Sequence, residues 1–132
     1  MTYVISEVGK DLSARDFIDI SKSVGWGVQK KYNLRKVSTA LRNSFYIITV
    51  RKNGLLVGCG RVLSDDLLFT TVPDLFVRPA FQKKGIGKLI MQRIIKRFSH
   101  TTIYFGSQPG NEKFFEKLGF VKGLQSYSMN KK

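Results

Sequence analysis

The first half of the chain shows two kinds of hydrophobic pattern. Residues 2–8 alternate weakly between apolar and polar positions, which predicts a first strand. Ser13 begins a Ser-x-x-Asp capping box, which is typical of a helix start, and apolar residues follow at roughly helical spacing until Gly25. A second, short and basic helix is predicted over residues 35–42.

Strands are predicted next, joined by short turns. Residues 45–51 are rich in aromatic and β-branched side chains, which favour strands. Asn53-Gly54 is a strong hairpin signal, so residues 55–63 are predicted to return as the partner strand. After a further turn, residues 67–77 are predicted as a long strand. Pro73 lies within it, and because proline has no backbone donor it belongs at a bulge or a strand edge.

The last third of the chain predicts helices and strands in alternation. Residues 85–98 carry apolar side chains at the spacing of one buried helix face. Residues 101–105 predict a short strand, and residues 111–118 predict a short helix that ends at Gly119. Residues 120–129 are expected to hold one or two last strands. The order β-α-α-β-β-β-α-β-α-β predicts one mixed α/β (α+β) domain over residues 1–132.

Composition agrees with one globular domain, because 132 residues with 42% hydrophobic and 24% charged side chains suffice for a single core. The single cysteine, Cys59, excludes a disulfide framework and is expected to be a buried apolar residue. His100 is the one histidine, so no zinc site built from cysteine and histidine is expected. His100 is predicted to lie at the surface. No stretch approaches the ~18 apolar residues of a membrane span, and residues 1–11 show no signal pattern. The sequence therefore predicts a cytoplasmic protein with no membrane partner and no metal.

The charge of the chain is strongly basic and unevenly distributed. Lys and Arg number 23 against 9 Asp and Glu, which gives a net charge of +14. Residues 20–64 and residues 75–111 contain no acid. Such a field attracts polyanions, whether nucleic acid, an acidic membrane surface or a phosphorylated cofactor. A solvated basic surface explains the charge as well, so charge alone does not choose a partner.

A loop with two glycines precedes the long helix. Glycines at a helix start, here Gly85 and Gly87, let backbone amides approach a phosphate, and the helix dipole favours the negative charge. The loop is not a P-loop, because Gln82 stands where glycine is needed and Leu89 where Ser or Thr is needed. The dinucleotide-binding pattern is also absent, because Ile90 stands where its third glycine is needed. The remaining pattern is Gln-x-x-Gly-x-Gly before a helix.

This pattern, at residues 82–87, resembles the acetyl-coenzyme A pyrophosphate loop of the GNAT N-acetyltransferase superfamily. Residues 74–79 resemble the strand end that precedes the loop in that family, and residues 55–62 resemble its third strand. Residues 111–120 resemble the second family motif, Asn-x-x-(Ala)-x-x-Phe-Tyr-x-x-x-Gly-Phe, with compressed spacing. The resemblance spans residues 45–122 and implies a GNAT-like fold, with a mixed, mostly antiparallel central sheet flanked by helices.

The resemblance implies an N-acetyltransferase that moves the acetyl group of acetyl-CoA to a primary amine by direct attack in a ternary complex. The acetyl-CoA arm would pair with strand backbone as an added strand does. The resemblance places the cofactor-binding residues at Leu75, Phe76, Val77, Gln82, Lys83, Lys84, Gly85, Ile86, Gly87, Lys88, Asn111 and Phe115.

Few acids are available as the catalytic base. Asp74 immediately precedes the cofactor-binding segment and is the favoured residue for orienting or deprotonating the amine; the alternative is a structural acid paired with a nearby arginine. Because an ordinary carboxylate is a weak base for an ammonium group, relay through water is an equal alternative. For the acceptor pocket the candidates are Trp26, within Gly25-Trp26-Gly27, and Asp65. Their alternatives are a core tryptophan and a plain turn.

The second motif usually carries a tyrosine that protonates the thiolate, and Phe115 stands in its place. Tyr104 and Tyr127 are candidate substitutes, although each is also a candidate packing residue. Phe115 keeps open a second function, that of a non-catalytic acetyl-CoA-binding protein, and the charge keeps open a third, a nucleic-acid-binding protein. Acid-poor residues 20–64 suit an acceptor with a carboxylate or phosphate better than a polycation. Pairing of two copies, a homodimer, also stays open.

Overall fold

The computed structural model of the chain describes residues 2–9, 11–26 and 32–129. Its strands are β1 (Val4–Ser6), β2 (Tyr46–Lys52), β3 (Leu55–Ser64), β4 (Phe69–Val77) and β5 (Thr102–Tyr104). Its helices are α1 (Ala14–Ser23), α2 (Leu34–Arg42), α3 (Ile86–Phe98) and α4 (Glu112–Lys117), with one 3₁₀ turn at Pro79–Phe81. The strands form a five-stranded sheet in the order β1-β2-β3-β4-β5. All neighbours pair antiparallel except β4 and β5, which confirms the predicted mixed fold.

Local signals in the sequence form the expected caps and turns. The Ser13 side chain accepts a hydrogen bond from the Asp16 amide at 3.1 Å, so it caps α1. Asn53 and Gly54 have φ angles of 50° and 84°, as the tight hairpin between β2 and β3 requires. Gly119 follows α4 with a φ of 99°, which confirms it as the residue that ends this helix.

Helices cover both faces of the sheet, because successive strand residues point to opposite sides. Ile48 belongs to the core against α3, while its neighbour Ile47 belongs to the core against α1 and α2. The buried face of α3 consists of Ile86, Ile90, Met91, Ile94 and Phe98. Cys59 is buried on the α1 and α2 side, as predicted from the sequence. The result is a three-layer arrangement in which the sheet is the middle layer.

Strand β4 has two halves with different neighbours. Its first half, Phe69 to Thr71, pairs with β5, whereas the rest of the strand pairs only with β3. Between the two halves Arg61 lies opposite Asp74 and Leu63 lies opposite Thr71, so β4 carries one extra residue next to Pro73. This confirms the predicted bulge. Because a bulge bends its strand and increases the local twist, β4 separates from β5 here and leaves a cleft.

The segment after α4 does not form the predicted last strands. Residues 121–129 are irregular, and Val121, Leu124 and Tyr127 are 87%, 91% and 90% exposed. These apolar residues recur every third position, with Gly123 between them, so they lack the alternation that would give a strand one buried face. In the part of the chain that the structure describes, the sheet therefore ends at β5. No helix within the described ranges is long and apolar enough to cross a membrane.

We predict that Gly60→Ala destabilises the fold. A β-carbon at Gly60 would lie 2.8 Å from Cγ2 of Ile90 in α3, closer than real contacts allow. We expect a loss of about 1–3 kcal/mol in the free energy of unfolding, measured by urea denaturation, because the core would be overpacked. Gly123→Ala is the control, since a β-carbon there meets nothing within 4 Å. Equal stability of the two variants would contradict the packing of α3 on β3.

Candidate active site

The cleft between β4 and the chain after β5 encloses about 720 Å³. It brings together most of the residues singled out from the sequence, namely Trp26, Asp74, Leu75, Phe76, Val77, Gln82, Lys83, Gly85, Gly87, Lys88, Asn111 and Phe115. It also has lining residues that sequence reasoning missed: Val72, Pro73, Met91, Phe105, Gly106, Gln108 and Phe114. Trp26 follows α1 and is 47% exposed, and its neighbour Gly27 lies outside the described residues.

The backbone of β4 lines the cleft with free hydrogen-bonding groups. In an antiparallel pair, successive residues point their backbone N–H and C=O groups alternately towards and away from the partner strand. The Arg78 amide donates to the Val57 carbonyl of β3, which shows which residues of β4 point towards β3. By that alternation the backbone of Phe76 bonds to β3, while the N–H and C=O groups of Leu75 and Val77 point into the cleft. The Gln82 side chain donates to the Val77 carbonyl at 2.9 Å. The Val77 amide and both groups of Leu75 are therefore available to an extended ligand.

The loop between the 3₁₀ turn and α3 presents a run of unpaired amides. The Gln82 amide donates to Pro79 and the Leu89 amide to Gly85, whereas the amides of residues 83–88 donate to no acceptor in the described ranges. Lys83 and Gly85 have φ angles of 62° and 85°, which turn the loop into a concave set of donors. Because the loop also begins a helix of 13 residues, the dipole adds partial positive charge. The arrangement fits a diphosphate anion.

Side chains around this loop have different roles. Those of Lys83 and Lys88 line the cleft. The Lys84 side chain turns away, with Nζ 5.5 Å from the centre of the Phe81 ring, and the Ile86 side chain is buried in the core. These last two positions can therefore offer only their amides to a ligand in the cleft.

Asp74 lies at the bulge and is bonded to an arginine. Nε of Arg61, on the neighbouring strand, lies 2.6 Å from Oδ2 of Asp74, and both side chains are about one-fifth exposed. Arg61 also donates to Oγ of Ser44 at 3.4 Å. In the described part of the chain no partner contacts Oδ1 of Asp74, so this oxygen can accept a hydrogen bond in the cleft.

Asp65 lies in the turn before β4 and not in the cleft. Its Oδ1 accepts hydrogen bonds from the amides of Leu67, Leu68 and Phe69 at 2.9, 2.7 and 3.0 Å. These backbone donors, with Phe69 contributing most, hold the pKa of the carboxyl below its usual range because they stabilise its charged form. The structure thus corrects the expectation that Asp65 contacts an acceptor, and explains why β4 begins at Phe69 rather than at Leu67.

The tyrosines considered as proton donors lie elsewhere. Tyr104 is 48% exposed and stacks on Phe69 with the ring centres 5.2 Å apart, and Tyr127 is 90% exposed. Phe115 lines the cleft within a group of aromatic rings; its centre is 4.5 Å from that of Phe105. His100 lies at the surface as predicted, bonded to Asp66 at 3.0 Å. Neither tyrosine is among the residues that line the cleft.

Cys59 is close in sequence to the site but offers no nucleophile. It is 1% exposed, and burial, reinforced by the nearby Asp74 carboxylate, raises the pKa of its thiol to about 12. Because the thiolate is the reactive form, this thiol is chemically inert in the folded protein. Within the described ranges, no group of His, Cys, Asp and Glu side chains could hold a metal ion.

Comparison with known proteins places the chain in a family. A family model described as an acetyltransferase (GNAT) domain matches residues 26–131. The chain belongs to the GNAT acetyltransferase family. A similar sequence is the uncharacterized N-acetyltransferase ycf52 of Porphyra purpurea, which is 35% identical over 120 residues, 86% of this chain and 67% of the relative. The chain thus spans about two thirds of that protein's length.

Solved structures share the fold. The GNAT family acetyltransferase SP0256 from Streptococcus pneumoniae TIGR4 superposes with a TM-score of 0.81 at 21% identity, covering 99% of this chain and 100% of that one. AAC(6')-Iy, solved with the bisubstrate analogue CoA-S-monomethyl-acetylneamine, superposes with a TM-score of 0.74 at 14% identity, covering 100% and 99%. Identities this low show a shared fold and not a shared substrate.

We predict that Cys59 resists thiol reagents in the folded protein. With the pKa near 12, the thiolate fraction at pH 8 is roughly 10³-fold below that of an ordinary cysteine, and the side chain is inaccessible. Labelling followed by mass spectrometry should detect no adduct until denaturant is added. Rapid labelling of the native chain would contradict the burial of this residue.

Proposed function

We propose that the chain is an N-acetyltransferase that transfers the acetyl group of acetyl-CoA to a primary amine by direct attack in a ternary complex. One observation carries the proposal: the free backbone groups of Leu75 and the Val77 amide line the same cleft as the loop with the unpaired amides of residues 83–88. Together they form one strip of donors and acceptors that suits an amide-containing arm ending in a diphosphate. Family membership and the CoA analogue bound to the structural neighbour AAC(6')-Iy support the same ligand.

The strip gives the ligand a direction. The pyrophosphate would rest on the amides of residues 83–88, with Lys83 and Lys88 adding charge. The pantetheine arm would run back along β4 and pair with Leu75 and Val77 as an added strand. The thioester would then lie near the bulge, between Asp74 and the aromatic wall of Phe115. Acetyl-CoA supplies an activated acetyl group there, and the protein supplies its position.

Two side chains that would lie near the thioester, those of Asp74 and Phe115, can each be given a role. Oδ1 of Asp74 would accept a hydrogen bond from the attacking amine and so orient its lone pair towards the thioester carbon. Phe115 has no proton to give, so the proton released by the nitrogen would reach the sulfur through water. A thiol with an ordinary pKa near 8.5 is a good leaving group, so the transfer proceeds without a dedicated acid.

Calorimetry with acetyl-CoA, followed by incubation with a panel of primary amines and mass spectrometry, tests the proposal. We expect saturable binding and formation of an acetylated amine. Binding without turnover on any amine would favour an acetyl-CoA-binding protein instead. No binding of acetyl-CoA, with retention of an oligonucleotide, would overturn the proposal in favour of a nucleic-acid-binding protein.

We predict that Gly85→Glu abolishes acetyl-CoA binding, with a loss of affinity of at least about tenfold. The new carboxylate would stand at the helix start, where the pyrophosphate is expected, and would repel it. Gly85→Asn is the matched control, because asparagine tolerates a φ of 85° and adds no charge. Calorimetry on both folded variants measures the effect. If Gly85→Glu bound as tightly as Gly85→Asn, the loop would not be the pyrophosphate site.

We also predict that Phe115→Tyr keeps turnover equal or raises it. The ring site already exists, and a hydroxyl there could return the proton to the thiolate. Phe120→Tyr is the control, because its ring packs 4.8 Å from that of Phe105 but does not line the cleft. The measurement is kcat at saturating acetyl-CoA. A severe loss of kcat in a folded Phe115→Tyr protein with normal cofactor affinity would show that this position does not face the sulfur.

A further inference from the structure

A second groove lies between the start of α1 and one face of α2, and it encloses about 460 Å³. Its lining includes three arginines and no acid; the lining residues are Ser13, Ala14, Arg15, Leu34, Arg35, Ser38 and Arg42. This arginine groove shares no lining residue with the cleft beside β4. It is therefore a separate feature of the surface, and the acetyl-transfer chemistry does not account for it.

The arginines of the groove differ from the other arginines of the chain, because no carboxylate pairs with them. Every arginine outside the groove has an acidic partner at 2.6 to 3.7 Å. These pairs are Arg51 with Asp11 and Asp16, Arg61 with Asp74, Arg78 with Asp19, Arg93 with Glu7, and Arg97 with Asp66. Among the described residues, no acid pairs with Arg15, Arg35 or Arg42. The uncompensated guanidinium charge is thus collected in one groove.

The acids of the chain itself are poor candidates to neutralise this groove from a second copy. Residues 20–64 contain no acid, so α2 has none on any face. Of the nine acids, each except Glu116 already accepts a hydrogen bond from a side chain or an amide of its own chain. A second copy would also bring a net charge of +14. The negative charge that suits the groove is therefore that of a different molecule.

The groove presents its guanidinium groups as a spaced array. Arg35 and Arg42 lie two turns apart on α2, which separates them by about 10 Å along the helix axis. Arg42 donates to Oγ of Ser38 at 3.3 Å and to Oγ1 of Thr39 at 3.1 Å, and these hydroxyls orient it without neutralising it. Arg15 stands on the α1 side. Because guanidinium groups bind carboxylates and phosphates through paired hydrogen bonds, the array suits an extended anionic ligand.

Apolar surface is also part of the groove and bears on the kind of anion. Leu34, which is 42% exposed, and Ala14 belong to the lining, and no residue of the described lining is aromatic. A single-stranded nucleic acid is held by basic groups together with aromatic rings on which its bases stack, and its phosphate backbone offers Leu34 no apolar contact. An acidic peptide supplies carboxylates for the arginines and an apolar side chain for Leu34. Arginines around a small apolar area are also typical of contacts between proteins.

We propose that the arginine groove binds an acidic segment of a partner protein, with carboxylates on Arg15, Arg35 and Arg42 and an apolar side chain against Leu34. The contact attaches the protein to a partner and takes no part in the reaction at the cleft. It needs neither acetyl-CoA nor an amine, so the proposal does not rest on the proposed acetyltransferase function.

Fluorescence anisotropy tests the proposal with a labelled peptide that repeats Glu-Glu-Leu-Glu three times. We expect saturable binding to the full chain, weakening as salt is added because the charges are exposed. In a second peptide, serine replaces each leucine. Its affinity should be lower by at least about threefold, because the contact with Leu34 is lost. Absence of binding of the leucine peptide, or equal binding of the two peptides, would overturn the proposal.

A matched pair of variants separates the groove from the general charge of the chain. The groove variant combines Arg15→Gln, Arg35→Gln and Arg42→Gln. The control variant combines Lys113→Gln, Lys117→Gln and Lys122→Gln, which removes equal charge from exposed positions on α4 and after it. We expect the affinity for the leucine peptide to fall by at least about tenfold in the groove variant and by less than about twofold in the control. Equal losses would assign the binding to net charge and overturn the proposal.

Two additions keep the test decisive. Should the groove variant not fold, Arg35→Gln replaces it, with an expected loss of at least about threefold, because no described residue bonds to the Arg35 side chain. Unlabelled oligodeoxythymidine and phosphatidylglycerol vesicles are also titrated as competitors. Weaker competition by both than by unlabelled leucine peptide supports an acidic protein segment. Stronger binding of either one, lost in the groove variant, would overturn that assignment in favour of a nucleic acid or a membrane surface.

Discussion

The bulge at Pro73 is the constraint on which the site depends. Proline cannot donate to the ladder, and the extra residue beside it bends β4 away from β5 after Thr71. That separation has two consequences. It leaves the backbone of Leu75 and Val77 without a neighbouring strand, and it turns Asp74 towards the resulting cleft. A regular strand would have continued pairing with β5 and closed this cleft.

The packing of the core positions the start of α3 beside the half of β4 that does not pair with β5. Helix α3 lies close to β3 because Gly58 and Gly60 carry no side chain; a β-carbon at either would meet Ile86 or Ile90 at 2.8 Å. The buried face of α3 then fixes where its first turn lies, so the loop before it and the free groups on β4 line the same cleft. Packing of the core thus positions both parts of the proposed ligand site, the loop and β4.

Most of the fold could be predicted from local sequence patterns, whereas features that depend on residues far apart in the sequence could not. Helix caps, the Asn53-Gly54 hairpin and the glycines of the loop depend on neighbouring residues, so the sequence shows them directly. An arginine partner was the open alternative for Asp74, and the structure shows one; that it is Arg61 depends on a register that a bulge shifts by one residue, which no local pattern encodes. Met91 lies on α3 and Gln108 lies after β5. No local pattern relates either residue to β4, so neither was predicted to line the cleft. The last strands were predicted over residues 120–129, a segment without the alternation that burial on one face requires.

In the proposed function, the backbone from Leu75 to the loop before α3 binds the extended acetyl-CoA molecule. Amide hydrogen exchange followed by NMR, with and without acetyl-CoA, tests it residue by residue. We expect protection to increase at the amides of Leu75 and Val77 and across residues 83–88, while the Phe76 amide, which bonds to β3, changes little. Saturable binding with no added protection at these amides, or protection centred on α2 instead, would contradict it.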